Sequence, residues 1–174
     1  MDRGAERTSE VNGKAGLAAP PLSVERVTHQ DVPAICGLYK KVWDGPANGV
    51  PTELLKAWQP TPLEFTSRME GVTYFAARRE QKLIGVVGCE VRHGACQLVH
   101  LAVDPDSRRQ GVATALIAAA IEWAKHANAP VVWGDTLARF SAAAALLKRL
   151  GFAEAGVLHR HEWNEDVRLF ERLL

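Results

Sequence analysis

Arg108, Arg109, Gln110 and Gly111 make a short basic loop that runs straight into a helical stretch opening at Val112. Such a junction has the chemistry of an anion site. The first-turn N–H groups of a helix have no partner within it, and no Ser or Thr stands at this start to cap them from a side chain. They are left for a ligand. Gly111 lets that ligand approach the backbone with no side chain in the way, and Ala113 keeps the next turn slim. Two guanidinium groups beside the same amides favour a phosphate or pyrophosphate over a carboxylate.

The elements that hold this loop can be read on both sides of it. Gln97 to Val103 reads as a strand, and Asp104, Pro105, Asp106 and Ser107 turn the chain. Downstream, Val112, Ala113, Leu116, Ile117, Ala120, Ile121 and Ala124 recur at three- and four-residue spacing, which gives a helix with one stripe on a core. The two commonest nucleotide motifs are absent. The one Gly-Lys pair, Gly13 with Lys14, precedes Ala15 where a P-loop needs Ser or Thr, and no Gly-x-Gly occurs.

Val103, Pro105, Arg108, Gly111 and Ala113 at these intervals resemble motif A of the GNAT N-acetyltransferase superfamily, (Arg/Gln)-x-x-Gly-x-(Gly/Ala), after a strand ending in Leu101, Ala102 and Val103. A second landmark, Gly151 with Phe152, is similar to the Leu-Gly-Phe ending of that family's second core helix. The resemblance covers about residues 24–174. It implies an α/β (α+β) domain with the GNAT acyl-CoA N-acyltransferase fold, a mixed central sheet whose two parallel strands, ending near Val103 and starting at Val131, splay apart.

The order of elements read from the chain agrees. Residues 1–22, aperiodic and closed by Pro20 and Pro21, read as a flexible tail outside a domain spanning 23–174. A first strand is expected over Val24 to Val27. Thr28 with Asp31 starts a helix carrying Val32, Ile35, Leu38, Tyr39 and Val42, which Asp44, Gly45 and Pro46 stop. A second helical stretch, interrupted by Pro60 and Pro62, covers about Thr52 to Met69. Val72 to Ala77 and Leu83 to Val91 form a hairpin, and Arg92, His93 and Gly94 turn into the central strand. Beyond the long helix follow a strand from Val131 to about Asp135, a helix over Ala142 to Leu150 capped by Ser141 and ended by Gly151, and strands at Val157 to His161 and Val167 to Leu173.

Composition narrows the function class. At 174 residues, 47% hydrophobic and 24% charged, the chain suits one globular domain. A net charge of +1 with one small basic cluster excludes an electrostatic nucleic-acid binder. Cys36, Cys89 and Cys96 lack metal or disulfide-framework spacing, which predicts free core thiols. The start MDRGAERTSE has no apolar run after it, and Ala115 to Ile121 is too short to span a bilayer, so no membrane partner and a cytoplasmic location are expected.

The resemblance implies acetyl-CoA as co-substrate. Leu101 and Val103 would offer backbone groups to the pantetheine arm, and Arg109, Gln110, Gly111, Ala113 and Thr114 would give amides to the pyrophosphate with Arg108 beside them. The implied reaction is direct attack of a primary amine on the thioester in a ternary complex, and such an amine must first shed a proton. Family bases on the central strand fall at positions held here by Val99 and Gln97; Gln97 can orient a water. Asp135 lies at the end of the neighbouring strand, and these two are the catalytic candidates. His100 has a suitable intrinsic pKa, but strand alternation turns it to the face opposite Leu101 unless a bulge intervenes. Glu90 is a further carboxylate on the preceding strand. The chain departs from the family at Leu147, where a Tyr often protonates the thiolate, and at Phe140, where an Asn is common; Tyr39 and Tyr74 read as packing residues.

Trp43, Asp44, Asn48, Trp58, Glu162, Trp163 and Asp166 fall in segments beside the acceptor entrance, and aromatics with carboxylates suit a cationic amine. His159, His161 and Glu162 are too few for a metal centre, and none is expected. The reading is an N-acetyltransferase for a small-molecule or peptide amine, as a monomer or homodimer, with a catalytically silent acyl-CoA-binding or regulatory module as the alternative.

Overall fold

The computed structural model describes residues 20–44 and 49–174. Among them, strands β1 (Leu22–Arg26), β2 (Thr73–Arg79), β3 (Lys82–Arg92), β4 (Ala95–Val103), β5 (Val131–Leu137), β6 (Ala153–Glu162) and β7 (Glu165–Leu173) form one mixed sheet ordered β1-β2-β3-β4-β5-β7-β6. Helices α1 (Val32–Trp43), α2 (Thr52–Trp58) and α3 (Pro62–Arg68) lie between β1 and β2, α4 (Val112–His126) joins β4 to β5, and α5 (Ser141–Arg149) joins β5 to β6. This is the mixed α/β architecture expected. Only β4 and β5 pair in parallel, and a parallel pair needs a crossover, which α4 supplies. Three antiparallel neighbours turn on two residues with positive φ each, Glu80–Gln81, His93–Gly94 and Trp163–Asn164, a geometry that matches strand twist.

The helices cover both faces. The apolar stripe of α4, with Leu116, Ile117 and Ala120 fully buried, packs with Leu147 of α5 and with Val87, Val132 and Phe170 of the sheet. On the other face Ile35 and Leu38 of α1 and Phe65 of α3 pack on Tyr74, Val86 and Ala102. One close approach dictates a glycine. A Cβ on Gly88 would sit 2.8 Å from Tyr74, Val72 and Val99, so only a hydrogen there lets the Tyr74 ring lie flat against β3.

Element boundaries depart from the sequence reading where the local signal is weak. β1 begins at Leu22, inside the expected tail, whose residues 1–19 lie outside the described residues. Gly45 and Pro46, the expected helix stop, also lie outside them; Asp44 is the C-cap. Ser141 is not a cap: it is the first residue of α5, and the Phe140 carbonyl accepts from Ala144 N (3.2 Å) at the helix start. The Phe140 ring is held by Trp43 and Trp58, which sets the chain path one residue earlier. β6 starts at Ala153, four residues before Val157, because an edge strand pairs only with β7 and needs few apolar residues. Cys36, Cys89 and Cys96 are free thiols; Cys89 and Cys96 are buried and share a hydrogen bond.

Candidate active site

β4 and β5 stay together for only three pairs, Cys96↔Val132, Gln97↔Trp133 and Leu98↔Gly134. Beyond them β4 continues to Val103 and β5 to Leu137 with no pairing between them. The sheet opens there. The cause lies on β4 just past the last pair: Gly88 pairs with Val99 and Val86 with Ala102, so Val87 alone faces His100 and Leu101. Two residues opposing one is a β-bulge, which bends and twists the strand that carries it. His100 takes φ +56° at this point, and its place is fixed from both sides. Tyr39 Oη donates to the His100 carbonyl (2.7 Å), and Tyr74 Oη lies 2.8 Å from Nδ1 with the two rings stacked. Burial, with Arg68 adding to it, lowers the imidazole pKa to about 4, so His100 is neutral at physiological pH.

The basic loop Arg108 to Gly111 lies at the far end of the opened strand. Gly111 is the N-cap of α4 at φ +80°, a left-handed conformation that suits glycine, and no side chain caps the helix. Ala115 N bonds back to Gly111 O (3.0 Å). Among the described residues no acceptor takes the amides of Arg109, Gln110, Gly111, Val112, Ala113 or Thr114. Arg108 and Arg109 are exposed beside them. The Gln110 side chain is used within the protein, accepting from Arg79 and donating to the Asp106 carbonyl.

A strut that the sequence reading missed anchors the loop. Asp104, 2% exposed, takes Lys41 Nζ of α1 at 2.6 Å and the Asp106 amide at 3.0 Å. Burial alone would raise this carboxyl; the Lys41 and Asp106 hydrogen bonds outweigh it and hold the pKa below the usual carboxylate range. A buried, paired aspartate at the strand end fixes where the following amides point.

Between the parted strands lies a cavity of about 520 Å³. Its floor is Gln97 to Leu101 of β4 and Gly134 to Leu137 of β5; Ile117 and Leu147 line the helix side. Gln97 and Asp135 both line it, close enough for the Gln97 side chain to act on the carboxylate. Asp135 is an exposed residue at the opening, with protein crowded around its carboxyl group. Burial raises its pKa, against the lowering effects of Gln97 and of His161. Glu162 faces it, and burial together with the Asp135 charge raises that carboxyl as well.

Of the acceptor-side residues expected, Trp43, Trp58, Glu162 and Trp163 line the cavity. The Trp43 and Trp58 rings are tilted at 44° to each other with centroids 4.5 Å apart. Asp166 is turned away, holding the Arg160 amide (2.8 Å) and His159 (3.2 Å). Asn48 lies outside the described residues, Asp44 is exposed outside the cavity lining, and Glu90 is paired with Arg92 (2.9 Å). Leu147 is buried at the cavity wall and Phe140 lines it. Arg68 also lines the cavity; its signal was helical spacing, three residues after the buried Phe65 on one face of α3.

An open parallel pair, an uncapped helix start at its end and a carboxylate in the gap define a class of protein, and comparison with known families gives the same answer. Residues 33–152 match the acetyltransferase (GNAT) family, and the chain belongs to it. It is 32% identical to N-acetyltransferase 8B of Homo sapiens over 105 residues, 57% of this chain and 46% of that protein. N-acetyltransferase 8 of Homo sapiens is similar to the same extent. The chain thus spans about half the length of the curated relatives it matches. Among solved structures, the ribosomal-protein-S18-alanine N-acetyltransferase from Escherichia coli superposes with a TM-score of 0.72 at 23% identity, over 88% of this chain and 94% of that one. The PaiA N-acetyltransferase from Thermoplasma acidophilum, in complex with coenzyme A, superposes at 0.73 and 13% identity, over 88% and 99%. At such identities the likeness is one of fold.

Proposed function

We propose that this protein transfers an acetyl group from acetyl-CoA to a primary amine of a small molecule or peptide, by direct attack in a ternary complex. The observation that carries the proposal is the pairing of β4 and β5, which ends at Leu98↔Gly134 and leaves a gap whose far end meets the unpartnered amides of Arg109 to Thr114. The site fits the co-substrate on its own terms. Amides at an uncapped helix start, with Arg108 and Arg109 beside them, suit a pyrophosphate. The β4 edge beyond Leu98, no longer paired to β5, offers the backbone of Leu101 and Val103 to an amide-bearing arm.

Acetyl-CoA, when bound, supplies the activated acyl group. The protein does the rest. Asp135 takes the amine proton as the N–C bond forms and the C–S bond breaks, with the Gln97 side chain beside it to orient a water. Burial raises its proton affinity toward that task. No tyrosine stands ready for the thiolate: Leu147 occupies the position implied by the family pattern, and Tyr39 and Tyr74 are engaged with His100. The departing thiolate is protonated by water.

The acting form is a monomer or homodimer, without a nucleic-acid or membrane partner; no helix of the described residues is long and apolar enough to cross a membrane. Three unpaired thiols support a reducing compartment, the cytoplasm. Calorimetric titration with CoA, followed by thiol release from acetyl-CoA across a panel of amines, tests the reading. CoA binding with amine-dependent thiol release is expected. A folded protein that binds no CoA derivative would overturn it, and CoA binding without turnover would favour the silent acyl-CoA-binding module that Leu147 also suits.

A further inference from the structure

The cleft carries charge of both signs at separate places. Asp135 and Glu162 act on each other at one wall. Arg68, the last residue of α3, is half-buried in the other. Its Nη2 donates to the Ala57 carbonyl (3.0 Å); among the described residues no carboxylate lies within ion-pair distance of it, and Glu64, exposed one turn earlier on α3, feels its charge from further off. A guanidinium has five N–H donors in a planar fork, and the bond to Ala57 is the one that the described residues take from it. The charge of Arg68 is felt by Tyr39, Tyr74 and His100, which places it at the β4 bulge, beside the opening where the amine must react. Trp43, Trp58 and Phe140, in mutual ring contact at 4.5–6.2 Å, line the same cleft.

A cation withdrawn from water without a counter-ion is costly. Arg168 and Arg78 are paired with carboxylates, Glu154 and Asp31, in this same chain. Arg79 and Arg172 are half-buried without one, held by Gln110 and by the Leu150 carbonyl, but of the arginines that lack a carboxylate Arg68 is the one that lines the cleft. We propose that the acceptor carries a carboxylate as well as its amine. It is an amino-acid-type molecule whose carboxylate is gripped by Arg68, whose ammonium faces Asp135 and Glu162, and whose apolar body lies against Trp43, Trp58 and Phe140. This deepens the acetyl-transfer reading and rests on it. A plain amine leaves Arg68 unpaired in the closed complex, which is how such a site selects against it.

The test uses the full chain with phenylalanine and a series of amino acids of longer amine-to-carboxylate spacing, each beside its carboxamide and its decarboxylated amine. For at least one member, kcat/KM is expected to favour the acid by about tenfold or more, the range of a charge-assisted fork. Arg68→Gln should level the acid with its amide, and Arg68→Lys should restore part of the preference, since it keeps the charge and loses the planar fork. Calorimetry with the N-acetylated products reads the Arg68 end without turnover, because those molecules keep the carboxylate and have no ammonium. CoA affinity of each variant reports that the cleft has folded; should Arg68→Gln not fold, the wild-type acid-to-amide ratios decide alone. The inference is overturned if no acid is preferred to its amide, either in turnover or in product binding. Amine turnover without that preference refutes the carboxylate site and leaves the transfer reading standing. A carboxylate preference in product binding with no amine turned over does the reverse.

Discussion

Replacing Gly111 with Val separates an anion site from an ordinary glycine turn, because the fold contains its own control. Gly111 has φ +80° and Gly94, in the β3–β4 hairpin, has φ +85°; at both, an added Cβ meets nothing within 4 Å. In the free protein the two substitutions therefore carry the same kind of penalty. A left-handed backbone costs a residue with a side chain about 1–2 kcal/mol, and for a domain of this size that lowers Tm by roughly 2–8 °C. The two positions differ in what the open space is for. Gly94 lies at the start of β4 and Gly111 beyond its end, separated by a nine-residue strand, about 30 Å. Branched bulk at Gly111 blocks a phosphate from the amides of its own turn. Losing one such charge-assisted contact costs about 1.5–3 kcal/mol, which is tenfold or more in Kd. Calorimetry with CoA should therefore show at least a roughly tenfold loss in Gly111→Val and wild-type affinity in Gly94→Val, with similar Tm losses by thermal denaturation. Equal CoA affinities in the two variants, at whatever value, would refute the assignment of these amides.

Three further substitutions probe the parts around that loop. Asp135→Asn should lower kcat by about 100-fold or more, the usual contribution of a positioned base, and abolish the acid limb of the rate profile. Because burial raises the Asp135 pKa, the folded state binds that proton more tightly than the unfolded chain. Its contribution to stability is present below the unfolded pKa and is lost as the pH rises through the folded one. Asp135→Asn should accordingly raise Tm at pH 7 and not at pH 3, and a variant equally stable at both would contradict the desolvated carboxylate. Asp104 has the opposite sign: its lowered pKa gives stability that is present above the unfolded value and lost as the pH falls through the folded one. Asp104→Asn should cost about 1–3 kcal/mol in denaturant unfolding at pH 7, less in acid, and should weaken CoA binding as the loop loosens. Gly88→Ala should cost about 1–3 kcal/mol by overpacking against Tyr74; unchanged stability would mean that the ring is free to move.

The opened strand pair was expected only from the family resemblance. The loop after β4 was legible in the residues, since an uncapped helix start depends on local facts: Gly111, the missing cap and the apolar stripe of α4 that fixes which way the helix lies. Hairpins were legible for the same reason, because Glu80–Gln81 and His93–Gly94 sit between apolar runs whose alternation changes phase at the turn. Edges and caps were less so. Ser141 has the better capping side chain, yet Phe140 takes the position because its ring is wanted by Trp43 and Trp58 from helices about a hundred residues earlier in the chain.

The site itself divides along the same line. Gln97 and Asp135 could be nominated once the family resemblance placed their strands, but the bulge at His100, which turns the strand away from β5 and ties its backbone to Tyr39 and its ring to Tyr74, is a matter of register between β3 and β4. Local sequence carries no information about which residue of one strand faces which residue of another when both are apolar. Arg68, Lys41 and Glu162 gain their meaning only from what folding brings beside them: an aromatic wall, a buried aspartate, a second carboxylate. The sequence by itself determined that this chain would present a basic glycine turn and an uncapped helix start after a strand. Only the tertiary structure decided which charges share the cleft with it, because an interaction energy depends on distance and burial, and neither is a property of position along the chain.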